Sequence, residues 1–341
     1  MAQEGDFGAL DYNQQVKVLT KLAIKILTQG FGLLKTDCKL KCVSHWQNTT
    51  FRVEVRRGAL AGMYALRINR LVSQEYRTIC SEVEWLEAIS HATDLVVPNP
   101  VRNLQGDLLT TAAIPEVGAA RHAVLFHWIE GAFLDATLTT DHMREIGDFM
   151  GRLHNFSQQF APSEDFQRKK LQWDGQMEDY YSRKGLESSP LLSTAQWMVL
   201  KRVREITEPI MRSIPQDSDV YGLIHNDIYQ KNMIFVDNRV CVIDFDNCGW
   251  GHYLLDLAVT LAQIRHHDDY QQKRTALIHG YEIQRLLAHQ EKLDYFMAAR
   301  LVLLTLYMAS QNDNPEMRAY APGYIQQAVH DLEKWLDAGT F

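Results

Sequence analysis

Hydrophobic residues recur at helical spacing over residues 12–29, where Val16, Leu19, Leu22, Ala23, Ile26 and Leu27 share one face and Gly30 is placed to stop the pattern. Over residues 39–69 the period shortens to that of strands, in Phe51-Arg52-Val53-Glu54-Val55 and Tyr64-Ala65-Leu66-Arg67-Ile68. Polar Gln47-Asn48-Thr49-Thr50 precedes the first of these and Arg57-Gly58 follows it, so the stretch predicts an antiparallel sheet. A second helical face, Ile79, Val83, Leu86 and Ile89, predicts a helix over 73–90 with Ser73 as its cap. Pro98 and Pro100 interrupt the chain, residues 108–113 and 123–126 read as two more strands, and Trp128-Ile129-Glu130-Gly131 has the character of a connector.

Beyond this point the periodicity is helical, over 141–156, 172–182, 193–212, 254–266, 271–289 and 291–309. The pattern implies an α+β protein with a sheet-containing N-terminal lobe (1–126), a hinge (127–131) and a mostly helical C-terminal lobe (132–341). A chain of 341 residues with 46% hydrophobic content is long enough to bury two such cores.

One segment interrupts the helices with strands. Leu223-Ile224 leads into His225-Asn226-Asp227-Ile228-Tyr229-Gln230-Lys231-Asn232, and after a short apolar stretch comes Val242-Ile243-Asp244-Phe245-Asp246. A strand, a polar loop and a second strand ending in acids would bring Asp227, Asn232 and Asp244 to one small volume. Two carboxylates and an amide are the equipment for magnesium-dependent phosphoryl transfer, which needs an acceptor hydroxyl held in line and a cation on the phosphate oxygens. In that scheme Asp227 is the catalytic group that orients the acceptor, while Asn232 and Asp244 are the metal ligands.

These motifs resemble those of the aminoglycoside phosphotransferase and choline kinase family, with its protein-kinase-like fold, nearest its homoserine-kinase-like small-molecule kinases. The family pattern His-Gly-Asp-x-x-x-x-Asn is matched by His225 to Asn232, with Asn226 in place of Gly, and Ile-Asp-Phe-Asp by Ile243 to Asp246. Asn tolerates left-handed backbone angles, so the loop shape should survive this departure. The resemblance implies supporting roles for His225, for Asp246 (a second metal or the loop itself) and for Asp256, in Tyr253-Leu254-Leu255-Asp256, as a brace of the catalytic loop. In the first lobe it implies a phosphate-binding role for Arg67, paired with Glu82 or, second, Glu84. It also implies a triphosphate cover at Asn48, Thr49 and Thr50, and adenine contacts from the His127 carbonyl and the Ile129 N–H. The implied activity transfers the γ-phosphoryl group of ATP, with GTP as the alternative donor, to a hydroxyl of an amino acid, amino alcohol, sugar or aminoglycoside. A nucleotide-binding scaffold and a stress-response protein kinase are the competing readings.

The net charge of −7 and the lack of a basic block argue against a nucleic-acid partner and suit a cationic acceptor. Asp165, Asp174, Glu178, Asp179, Asp268 and Asp269 are candidate amine-recognising acids. No apolar run approaches the ~20 residues of a membrane span, and the N-terminus lacks the pattern of a signal peptide. A cytoplasmic protein with reduced cysteines is the expectation, the five Cys being odd in number and scattered. Nothing in the sequence indicates an oligomeric state.

Overall fold

The structure, a computed structural model, describes residues 5–45, 48–70, 75–134, 138–173, 175–182, 186, 189–311 and 315–341. Gln47, Ser73 and Asp174, singled out above, lie outside the described residues. The chain divides into two compact units, Met1–Gly131 with Pro162–Gln167, and Ala132–Ala161 with Arg168–Phe341.

The first unit opens with a short helix α1 (Gly5–Gly8) and a long α2 (Tyr12–Phe31). Asp11 and Gln14 form a reciprocal cap at the start of α2, each side chain accepting from the other's backbone N–H. The helix does not stop at Gly30. It ends at Gly32, which takes the left-handed angles (φ 66°) that close a helix at little cost in Gly. Gly30 serves packing instead, since a Cβ there would lie 2.8 Å from Thr110 Oγ1.

Five strands, β1 (Cys38–His45), β2 (Thr49–Val55), β3 (Gly62–Ile68), β4 (Thr110–Ala112) and β5 (Arg121–His127), form an antiparallel sheet in the order β1-β2-β3-β5-β4. Leu22, Ile26 and Leu27 of α2 join Phe51, Val53, Leu66, Ile68 and Leu125 of the sheet in one core. Successive strand residues face opposite ways, so Leu66 in this core sends its neighbour Arg67 to the other face. There α3 (Tyr76–Ala92) supplies Glu82 to the second face of the sheet at β3, while Lys39 and Lys41 of β1 and Arg52 of β2 stay exposed. Pro162–Gln167 belongs with this unit through Ser163, whose backbone N–H and hydroxyl both donate to Glu84.

The second unit contains a small sheet of β6 (Ala132–Phe133), β8 (Met233–Val236) and β9 (Arg239–Val242), and a pair β7 (Tyr221–Ile224) and β10 (Gly249–His252). Its helices are α4 (Thr140–Gln159), α5 (Gln176–Tyr181), α6 (Thr194–Ser213), α7 (Leu254–Ile264), α8 (Tyr270–Gln284), α9 (Leu293–Ser310) and α10 (Pro315–Ala338). The pattern reading had no counterpart for α10. Its buried Ala321, Ile325, Ala328, Leu332 and Trp335 do fall at helical spacing, but Pro322 and Gly323 sit among them and read as breakers.

Two features of this unit position the site. Helix α4 presses against α8 at Gly147 and Gly280: a Cβ on Gly147 would collide with the Leu277 carbonyl oxygen, and one on Gly280 with that of Arg144. Helix α9 is buried on almost every side, and the segment Gln290–Ser310 is long enough, and over 18 of its residues apolar enough, to cross a membrane. Contrary to the sequence expectation, one segment among the described residues reaches span length, and 72% of its apolar window is buried inside the protein, as in a core helix. Gly280→Ala is expected to destabilise the protein by about 2 kcal/mol or more through overpacking at this backbone contact, read as a lower urea midpoint at unchanged slope.

Candidate functional site

In the second unit, β7 delivers His225, Asn226 and Asp227 at its C-terminal end. Asn226 takes φ 65°, a left-handed conformation that Asn adopts more readily than most residues. Asp256, in the first turn of α7 and fully buried, holds this backbone. Its Oδ2 accepts the His225 N–H at 3.0 Å and its Oδ1 the Asn226 N–H at 2.5 Å. A third donor is His154 Nε2 of α4, 3.0 Å from Oδ2. Because an ionised Asp256 only accepts, His154 must carry its proton on Nε2, leaving Nδ1 to accept from the Tyr281 hydroxyl at 3.0 Å. The close crossing of α4 and α8 is what brings Tyr281 within reach.

Burial alone would raise the Asp256 carboxyl, but the hydrogen bonds from His154 and the loop backbone bring it below the usual aspartate value. Burial lowers the His154 imidazole, which is therefore neutral at physiological pH. The next turn of α7 contributes Thr260, whose hydroxyl donates to the Ile228 carbonyl at 2.6 Å. His225 links the loop to the following acids: its Nδ1 accepts the Asp227 N–H at 3.1 Å, so its Nε2–H donates to the Ile243 carbonyl at 3.1 Å.

Asp227 emerges from this support with 20% of its side chain exposed. Its Oδ2 accepts from Asn232 Nδ2 at 3.1 Å, and Asn247 Nδ2 stands 3.5 Å away. Its Oδ1 accepts from Arg300 Nη2 of α9 at 3.0 Å. The Asn232 amide nitrogen also donates to the Asp227 carbonyl at 2.9 Å, which turns its Oδ1 away from Asp227. The Ile243 N–H donates to the Asn232 carbonyl at 2.9 Å, drawing Asn232 beside the segment that carries Asp244. Asp244 is exposed and holds φ 66°, a conformation that costs a non-glycine residue free energy and concentrates at functional sites. Arg168 fixes the turn after it, donating through Nε to the Cys248 carbonyl at 2.6 Å and through Nη2 to the Asp246 carbonyl at 2.5 Å. Asp246 itself is buried.

This donor set suits a hard divalent cation. No group of three or more His, Cys, Asp or Glu among the described residues could hold an ion by itself. The outward Oδ1 of Asn232 and the Asp244 carboxylate are two hard oxygens. Mg²⁺ is commonly held by one or two carboxylates together with waters and substrate phosphates.

In the first unit, Arg67 and Glu82 form a bidentate pair, Nη1 to Oε1 at 2.7 Å and Nη2 to Oε2 at 2.8 Å, with side-chain exposures of 7% and 0%. Glu84 is turned to Ser163 instead. Thr49 is buried with its hydroxyl against His45 Nδ1 at 2.8 Å, so it faces the core side of β2. Thr50 pairs in register with Arg67, and Asn48 lies just before the strand. His127 ends β5 with its N–H donating to the Asn99 carbonyl at 2.9 Å; Ile129 follows two residues on and is half-buried.

Several of the acids read as amine-binding candidates are engaged by cations: Asp165 by Arg77 at 3.5 Å, Glu178 by Arg204 at 2.5 Å and Asp269 by Lys273 at 2.8 Å. His266 meets Asp331 of α10 at 3.1 Å. Sequence reasoning missed Arg168, Asn247 and Arg300. Only Arg300 left a signal, as the single charge in Ala298-Ala299-Arg300-Leu301-Val302-Leu303.

The fold is that of the protein-kinase-like small-molecule kinases. The structure of a microcompartment-associated aminopropanol kinase superposes with a TM-score of 0.79 over 94% of this chain and 98% of that one, at 24% identity. The chain belongs to the phosphotransferase enzyme family, whose profile matches residues 40–296. Among curated proteins, amicoumacin kinase of Bacillus subtilis (strain 168) is 20% identical over 203 residues, 59% of this chain and 57% of that protein. Homoserine kinase of Granulibacter bethesdensis is 26% identical over 229 residues, 65% of this chain and 67% of that protein. The chain thus spans about three fifths of the length of the curated relatives it matches first.

Two outcomes test the buried brace. Asp256→Asn cannot accept from three donors and should cost about 3 kcal/mol, measured by urea unfolding. His154 has a depressed pKa in the folded state, so its stabilisation is present above the unfolded value of 6.5 and is lost on acidification below it. The unfolding free energy should therefore fall between pH 7 and pH 5, with a slope of up to ~1.4 kcal/mol per pH unit from this group. The slope should shrink in His154→Gln.

Proposed function

We propose that this chain transfers the γ-phosphoryl group of ATP to a hydroxyl group of a small molecule. The observation that carries the reading is the orientation of Asn232: its amide nitrogen is spent on Asp227, which leaves its oxygen turned away from Asp227, on a residue whose carbonyl is tied to the Ile243 N–H next to Asp244. Asp227 accepts a hydrogen bond from the acceptor hydroxyl and aligns its oxygen with the γ-phosphorus. As the new O–P bond forms and the bond to the bridging β–γ oxygen breaks, the hydroxyl proton passes to Asp227 and ADP leaves. Mg²⁺ held by Asn232 and Asp244 would supply charge neutralisation at the phosphate oxygens.

On the nucleotide side, Arg67 offers a fixed positive charge to the phosphates, oriented by its fork on Glu82. Thr50, Asn48 and the backbone around Thr49 form the cover, and the His127 carbonyl and Ile129 N–H serve adenine. ATP is the donor preferred on this reading, with GTP as the alternative. Relatives and neighbours named for homoserine, aminopropanol and amicoumacin support an amino acid, an amino alcohol or an antibiotic among the candidate acceptors, with sugars and aminoglycosides as the further classes to test.

ADP release measured over a panel of these acceptor classes should require Mg²⁺ and a matching acceptor. It should fall about 10³-fold in Asp227→Asn. Asp244→Asn should raise the Mg²⁺ concentration needed, and Arg67→Ala the KM for ATP. Nucleotide binding with no turnover on any acceptor would instead make the chain a scaffold.

A further inference from the structure

Arg300 stands near the middle of α9, 6% exposed, on a helix whose neighbouring positions Ala298, Ala299, Leu301 and Val302 are fully buried. A buried guanidinium costs several kcal/mol unless it is paired, and an apolar residue of similar volume would suit such a helix at least as well. The partner it has is Asp227, and the contact spans 73 positions of sequence, from α9 to the catalytic loop. Its Nε is buried with no hydrogen-bond partner among the described residues, so the side chain gives up one of its own donors to reach this carboxylate. Another pair on α9, the part-buried Arg274 with Asp294, is bidentate at 2.6 and 3.0 Å and ties α8 to α9. The Arg300 contact is single and is aimed at one oxygen.

The two oxygens of Asp227 thus have different holders. Asn232 takes Oδ2 and Arg300 takes Oδ1, and donors on opposite oxygens fix the rotation of the carboxylate plane about its last bond. Without Arg300, Oδ1 has no holder and the plane can turn about the contacts that remain at Oδ2. We propose that Arg300 is a positioning residue for Asp227, holding the carboxylate at the angle at which it receives the acceptor hydroxyl. This rests on the phosphotransfer reading above.

The test uses the full chain, ADP release from Mg²⁺·ATP with the panel acceptor that gives the highest rate, and Mg²⁺·ADP binding by calorimetry. Arg300→Met should lower kcat about 10²-fold, the scale expected for a misplaced catalytic group, with Mg²⁺·ADP affinity and acceptor KM within about 3-fold of the parent. Arg300→Lys should recover part of the loss. In an Asp227→Asn background, Arg300→Met should cost less than about 3-fold more, because residues acting as a unit are not additive. Arg274→Met, a structural control, should lower stability and leave kcat in place.

Wild-type kcat in Arg300→Met, or a loss that adds in full to that of Asp227→Asn, overturns the proposal. If Arg300→Met does not fold, Arg300→Leu takes its place, and wild-type kcat there overturns it equally. An inactive Asp227→Asn beside a fully active Arg300→Met rejects this inference alone, whereas full activity in Asp227→Asn, or no Mg²⁺·ATP turnover by the parent, rejects the phosphotransfer reading as well.

Discussion

A single buried carboxylate organises the chemistry of the second unit. Asp256 gathers two consecutive backbone N–H groups and one imidazole N–H at a point with no access to water. An unpaired charge there would be prohibitive, and a charge with three donors is stable only while all three stay in place. The left-handed turn at Asn226 is thereby locked, and with it the direction in which Asp227 leaves the strand. His225 extends the constraint sideways to Ile243, so that the two segments carrying Asp227 and Asp244 answer to one fixed point.

The brace in turn depends on packing some distance from the loop. His154 donates correctly only while Tyr281 occupies its other nitrogen, and Tyr281 arrives because Gly147 and Gly280 let two helices approach to backbone contact. The residues that support the site are therefore small and apolar as well as polar. The first unit shows a related economy: alternation along β3 commits Leu66 to one core and Arg67 to the opposite face, where Glu82 meets it.

The elements with strong periodicity were legible in the sequence: α2, the β2–β3 pair, α4, α6, α7 and α9 all stand within a few residues of the spans their patterns predict. The misses have physical causes. Gly30 reads as a stop but is a packing glycine, because local sequence does not show that Thr110 will lie against it. Helix α10 hid behind Pro322 and Gly323. At the site, residues clustered in sequence, Asp227, Asn232 and Asp244, could be assembled from spacing alone. Those that arrive from elsewhere could not: Arg168 lies 78 positions before the carbonyl of Asp246 that it holds, and Arg300 lies 73 after Asp227. Of the acids read as amine-recognising, Glu178 meets Arg204 26 positions on, which spacing alone does not mark, whereas the Asp269–Lys273 pair is four residues apart and is visible in the sequence.

The position of Arg300 also bears on how this chain is made. Helix α9 has the length and hydropathy of a bilayer span, and a nascent chain presents that segment before α10 exists to cover it. An arginine near the centre of such a segment raises the free energy of membrane insertion by about 2.5–3.5 kcal/mol on translocon scales. The same guanidinium that meets Asp227 in the folded protein therefore biases the unfolded one away from lipid and toward its own core.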